Sequence, residues 1–200
     1  MAEGLKKAKR TNNPQAMRAR ILDVAAELFQ RHGYNATSIH DIVRATPTTG
    51  GALHHHFATK KVLGLAVIAE RVAAEVRDTA IEPVVAGASI AQGVAVFLDN
   101  VASDLERNQA VSGCPLNNLA LELSLADSDF REAVNVVFDG WRDALALRLK
   151  TDRPSLNASD AQDLATLVVA SYSGAMAMAK ASQRVEPLRA TARQLALVLA

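Results

Sequence analysis

At 200 residues, half of them hydrophobic, the chain can bury a sizeable core and make one domain or two small ones. Its one cysteine, Cys114, excludes an internal disulfide and suits a reducing cytoplasm, and the lack of any run of about 18 apolar residues argues against a membrane span. The net charge of +1 hides a split, with 12 Lys/Arg against 6 Asp/Glu and all five His in residues 1–77 but 10 against 15 in residues 78–200, the footprint of a basic nucleic-acid reader on an acidic body.

Residues 1–13 hold Lys6, Lys7, Lys9 and Arg10 without apolar periodicity. They read as a flexible basic tail, or as an arm that reaches phosphate beside a main site. No apolar segment follows the basic start, so a secretory signal is not expected. Asn13 can cap a helix that Pro14 opens, in which Ile21, Leu22, Ala25, Leu28 and Phe29 recur on one side until Gly33 stops it. Arg18 and Arg20 lie on other faces near its start, placed for phosphate or for solvent.

Residues 37–60 read TSIHDIVRATPTTGGALHHHFATK. Thr37, an N-cap type, precedes Ile39, Ile42 and Val43 at helical spacing, and Pro47 forbids continuation of that short helix. Thr48 or Thr49 can cap a second short helix running out near Phe57. Leu53 and Phe57, four apart, can dock on a core, while Thr49, Gly50, Gly51, Ala52, His54 and His55 are small or polar and point elsewhere. Small residues let a backbone approach a groove, and Thr and His supply donors for phosphates and base edges.

This run resembles the helix-turn-helix of the tetracycline-repressor (TetR-like) family, which reads T-[ST]-x-x-x-[IL]-A-x-x-A-G-V-[ST]-x-G-x-[LI]-Y-x-[HY]-F-x-x-K. The chain keeps Thr37, Ser38, Ile42, Thr49, Gly51, Leu53, His56, Phe57 and Lys60, with the upstream helix from Arg20 to Phe29 and the Gly33-Tyr34 turn. It departs at Val43, Thr46, Pro47, Thr48 and His54, where the family usually has Ala, Ala, Gly, Val and Tyr. The resemblance implies double-stranded operator DNA as partner, with Thr37, Ser38 and Lys60 on backbone phosphate. The expected DNA-reading set is Arg18, Thr37, Ser38, His40, Thr48, Thr49, Gly50, Gly51, Ala52, His54, His55 and Lys60. His54, His55 and His56 cannot converge on an ion, because successive helical residues point about 100° apart, so neither a metal nor a cofactor is expected. Charged imidazoles would favour phosphate, so DNA binding at constant salt should weaken between about pH 6 and pH 8.

Beyond this module, apolar spacing predicts a helix over 59–79, closed by Glu82-Pro83 and Gly87 and fit to link a DNA-reading head to the body. A helix over 89–108 follows, then the break Ser112-Gly113-Cys114-Pro115. Asn117 and Asn118 fall in the first turns of the next helix, serving either the turn and solvent or a polar spot in a cavity. Asp127 opens a helix with Phe130, Val134, Trp141, Leu145 and Leu149 on one face, where Trp141 reads as core or as a pocket wall. After a loop over 151–158, residues 159–183 are apolar nearly all round and better explained by burial than by lipid. Pro187 opens a last helix.

The expected fold is all-α with about nine helices. An N-terminal three-helix helix-turn-helix domain over 14–62, its motif about 38–57, precedes a helical ligand-binding and dimerisation domain over 63–200. The function implied is a cytoplasmic, ligand-responsive transcriptional regulator, a repressor, that binds a palindromic operator as a homodimer and is released by a small, largely apolar effector. An activator, or a DNA-binding protein without an effector, is the alternative. Candidate pocket residues are Cys114, Asn117, Asn118, Leu121, Trp141, Tyr172 and Met176. Candidate dimer residues are Val169, Tyr172, Ser173, Ala177, Leu195 and Val198. An enzyme is not expected, since no nucleophile, base and orienting group can be assembled.

Overall fold

The computed structural model describes residues 13–200, so Lys6, Lys7, Lys9 and Arg10 of the expected tail lie outside the described residues. Asn13 accepts the Ala16 N–H at 3.1 Å and Pro14 needs no donor, so α1 (Pro14–His32) begins there. Gly33, at φ 87°, ends it in a conformation that a side chain would strain. Ser38 caps α2 (Ile39–Ala45): its hydroxyl accepts the Asp41 N–H at 3.1 Å while the Asp41 carboxylate accepts the Ser38 N–H at 2.9 Å. Thr49 caps α3 (Gly50–His56) in the same manner through the Ala52 N–H.

Thr59 caps α4, a rod over 60–86 in which the α-helical pieces Lys60–Val67, Ala73–Val76 and Glu82–Ala86 alternate with π turns at Ile68–Val72 and Arg77–Ile81. The rod runs past Glu82-Pro83 and closes at Gly87, the second of the expected stops. Pro83 falls in the first turn of a fresh α-helical piece, just after a π turn has interrupted the regular ladder, where its missing N–H costs nothing. The body continues with α5 (Ile90–Asn108), α6 (Pro115–Leu123), α7 (Ser128–Asp152), α8 (Ala158–Ser182) and α9 (Glu186–Val198). The fold is all-α, with nine helices and no strand among the described residues, as expected.

The head is held by Ile21, Leu22, Ala25 and Phe29 of α1 against Ile42, Leu53 and Phe57, all buried. Each of the larger side chains, Ala25 apart, contributes about 1.5–3 kcal/mol by leaving water. In the body α7 and α8 pack against each other, and α9 lies along α5 and α8. Phe97, Trp141 and Tyr172 form an aromatic cluster at their centre, with ring centroids 5.0–6.0 Å apart. The expected dimer residues Val169, Tyr172 and Leu195 are buried in their own protomer, because α8 turns that side to α5 and α7 and α9 turns Leu188 and Leu195 inward. Ser173 is half-buried, and Ala177 and Val198 are exposed. Although α8 is long and apolar enough to cross a membrane, Ala161, Ala165, Val168 and Tyr172 point into the core.

Candidate nucleic-acid interface and effector cavity

The helix-turn-helix presents one face of α3 outward. Leu53 and Phe57 anchor the helix from beneath, 2% exposed each, while Thr49, Gly50, Gly51, His54 and His55 are exposed. A Cβ built on Gly50 or Gly51 meets nothing within 4 Å, so neither glycine is required by packing inside the chain. Ala52 is half-buried, and Ser38 and His40 lie exposed at the start of α2.

Two threonines differ from expectation. Thr37 is buried, and its hydroxyl donates to the Gly33 carbonyl at 2.8 Å, so it shapes the α1–α2 turn and leaves the cap to Ser38. The Thr48 hydroxyl is shielded and without a partner, not turned to the surface. The backbone turns tightly there, the Thr48 N–H donating to the Thr46 carbonyl across Pro47 at 2.7 Å.

Arg18 and Lys60 are engaged within the chain. Arg18 forms a bidentate pair with Glu70 at 2.6 Å and lies 5.1 Å from the Phe57 ring centre, and the pairing holds the Glu70 carboxyl below its ordinary range. Lys60 sits 4.2 Å from the Tyr34 ring centre, where burial lowers its ammonium from the ordinary range while Glu122 opposes the shift.

The head is fixed to the body on two sides. On one, Glu70 and Arg71 of the first π turn hold Arg18 and Asp23 of α1, the second pair at 2.6 Å. On the other, the Glu122 carboxylate at the end of α6 accepts the N–H groups of Tyr34 at 2.9 Å and Asn35 at 2.6 Å. Lys61 bridges Asp127 and Asp129 at 2.7 Å each, and Tyr34 stacks edge-on against Phe130. Gly64 makes this approach possible, since a Cβ there would lie 2.7 Å from Tyr34 and 2.9 Å from Phe130. Sequence reading missed Glu122 and Gly64, because one acid and one glycine in otherwise ordinary helices carry no local signal.

Two concave regions flank α6. A cavity of about 480 Å³ lies between α1, α4, α5, α6 and α8, with Glu75, Thr79, Leu105, Cys114, Tyr172 and Met176 among its walls. A second concave region, of about 670 Å³, lies between α6, α7 and α8, lined by Asn117, Asn118, Leu121, Phe138, Met176 and Ala177. The candidate pocket residues therefore divide: Tyr172 faces the first region, Asn117, Asn118 and Leu121 the second, and Cys114 and Met176 both. Trp141 lines neither and belongs to the core. Both asparagines tie α6 to neighbouring structure. Asn117 accepts the Ser173 hydroxyl at 3.1 Å, and Asn118 accepts Lys180 and donates to the Ser112 carbonyl, each at 3.1 Å. Burial pushes the Cys114 thiol up and the Tyr172 phenol well up from their ordinary values, so neither is ionised at neutral pH.

A sequence profile of bacterial regulatory proteins of the tetR family matches residues 21–67, and one of the C-terminal domain of LmrA/YxaF-like transcriptional regulators matches residues 90–194. The chain belongs to the TetR family of transcriptional regulators. The HTH-type regulators YxaF and LmrA of Bacillus subtilis are each 26% identical to it, over 91% and 86% of this chain and 94% and 90% of theirs. A TetR regulator from Chloroflexus aurantiacus is 32% identical with a TM-score of 0.77, covering 92% of this chain and 94% of its own. A TetR regulatory protein from Rhodobacter sphaeroides shares the fold at a TM-score of 0.80 and 22% identity, over 92% of this chain and 99% of its own. In this TetR-family chain the helix-turn-helix, with its outward α3, lies within the 21–67 match.

Proposed function

We propose that this protein is a ligand-responsive repressor of the cytoplasm that binds a palindromic operator as a homodimer and leaves it when a small effector enters the cavity against α4. The head, residues 14–62, reads DNA, and the body, residues 63–200, holds the effector and the partner. The observation that carries the reading is that one helix serves both ends. α4 begins beside the DNA-binding head, where Lys60 touches Tyr34, and fifteen residues on contributes Glu75 and Thr79 to the 480 Å³ cavity. That volume is in the range of small-molecule sites. An effector must bind the DNA-incompetent arrangement more tightly than the competent one, and contacts to a helix carrying the head provide that difference.

On DNA, α3 enters the major groove with Thr49, Gly50, Gly51, Ala52, His54 and His55 toward base edges, while Ser38 and His40 meet the backbone at the α2 end. Arg18 and Lys60 add phosphate contacts only by loosening their present pairs. The partner subunit covers the outer side of α7 and α8. Leu147 and Met178 are 70% and 63% exposed there, Val136 and Leu167 are also exposed, and Gly140 and Gly174 have open space around them. Exposed apolar side chains on two neighbouring helices are costly to leave in water.

The test is selection of duplexes from a random pool, followed by footprinting and sedimentation. A two-fold symmetric site bound by two chains, and released by compounds that bind the isolated protein, is expected. An asymmetric site held by one chain, or binding that no bound compound alters, would overturn the reading.

A further inference from the structure

We infer that this protein takes up protons as it binds its operator, on His54 and His55 at the end of α3, so that operator occupancy falls as pH rises through the neutral range; this rests on the DNA-reading role proposed for α3 and names how that contact is regulated. The helix reads GGALHHH, with no lysine, arginine or carboxylate, so any charge it brings to DNA comes from imidazole alone. Imidazole is the side chain that gains or loses its charge between about pH 5 and pH 8. His54 and His55 are exposed, whereas His56 is half-buried with its ring centre 6.5 Å from that of Phe57.

Most charged groups on the elements around α3 are already paired. On α1, Asp23 holds Arg71, Glu27 holds Arg31, and Arg18 is held by Glu70; Arg20 is exposed and in no ion pair among the described residues. On α2, Asp41 holds Arg44 and accepts the Ser38 N–H, with His40 beside it. At the start of α4, Lys60 lies on Tyr34 and Lys61 on Asp127 and Asp129. Few permanent cations are therefore free for phosphate, and among the described residues no carboxylate forms an ion pair with His54 or His55. The duplex is the first counter-charge that these two rings meet. A neutral imidazole has one N–H and a charged one has two, so protonation adds a donor toward base-edge acceptors or phosphate as well as a positive charge. A complex that favours the charged form draws protons from solvent as it assembles, and it weakens as pH rises and those protons become scarce.

The experiment titrates a selected duplex with the full-length protein at fixed salt, from about pH 6 to about pH 8. Affinity should fall about tenfold or more, the effect of one unit of differential interaction between the two protonation states. The slope of log affinity against log salt should be steeper at the acid end, by about 0.9 for each imidazole that meets a phosphate. Calorimetry at neutral pH in two buffers of different ionisation enthalpy should show net proton uptake. His54→Gln with His55→Gln keeps an uncharged donor at each position and should make both affinity and slope independent of pH. His54→Lys with His55→Lys, charged throughout, should bind tightly at both ends of the range. Both positions are exposed, so neither pair of substitutions should change the melting temperature, and His32→Gln, in the last turn of α1, should keep the response. An affinity for a two-fold symmetric duplex that does not change with pH, or a response that survives in the double glutamine variant, would overturn the inference and leave the DNA-reading role standing. Failure to bind any duplex even at the acid end would overturn that role itself.

Discussion

Replacing Gly51 by Ala should move stability and DNA binding in opposite directions. The residue is exposed in the first turn of α3, and a Cβ there meets no atom within 4 Å. Glycine inside a helix costs about 0.5–1 kcal/mol relative to alanine, and a first-turn site takes the lower end, so folding should gain about 0.5 kcal/mol. For a chain of this length that is a rise of about 1–2 °C in Tm. In the groove, the same methyl occupies the surface that meets base edges, where one misfit typically costs about 1–3 kcal/mol, a roughly five- to 150-fold loss on the preferred operator. The assay pairs thermal melts with titration of a selected duplex at fixed salt, because affinity for DNA falls steeply with ionic strength. Unchanged affinity together with unchanged base preference would refute the assignment of this face to DNA. A fall of several degrees in Tm would refute the openness of the site.

Glu122→Ala removes the acceptor of two N–H groups at a partly solvated junction and should cost about 1–3 kcal/mol, read as a lower Tm; an unchanged melt would mean that water replaces the carboxylate without loss. Gly64→Ala overpacks Tyr34 and Phe130 and should cost about 1–3 kcal/mol in a denaturant titration, so a neutral result would contradict the close approach. Glu70, whose carboxyl is held low by Arg18, stabilises the fold above the ordinary carboxylate range and loses that contribution as pH falls through its lowered value. The Tm difference between wild type and Glu70→Gln should therefore shrink in acid; a difference independent of pH would show that the pair contributes nothing through ionisation. Leu147→Glu combined with Met178→Glu should yield a folded monomer in sedimentation, and a persisting dimer would move the interface elsewhere.

The helices and their caps were legible because each depends on neighbours in sequence: Asn13-Pro14, Thr49, Thr59 and Asp127 all cap where local chemistry implies. The outward face of α3 was legible for the same reason, since the two anchors Leu53 and Phe57 fix which side looks out. Thr37 and Thr48 were misassigned because a threonine at a turn can bond inward or outward, and only the path of the surrounding backbone decides. Dimer residues were chosen from apolarity, which cannot separate a side chain buried in its own chain, such as Val169 or Leu195, from one left exposed on it, such as Met178. Glu122 and Gly64 act through contacts made at long range, and no local pattern encodes those.

The two attachments of the head differ in kind, and the difference fixes how it can move. On the α1 side it is held by the pairs Arg18–Glu70 and Arg71–Asp23, whose side chains remain 29–62% exposed. Such pairs contribute little individually and are weakened further by salt. Around Gly64, by contrast, Tyr34 and Phe130 are buried in mutual contact, and displacing them would expose apolar surface worth several kcal/mol. Any rotation of the head is therefore least costly about Gly64, with the charged pairs on the first π turn giving way. A π turn holds one residue more per turn than the α-helical ladder, so it can take up such a displacement without breaking the rod.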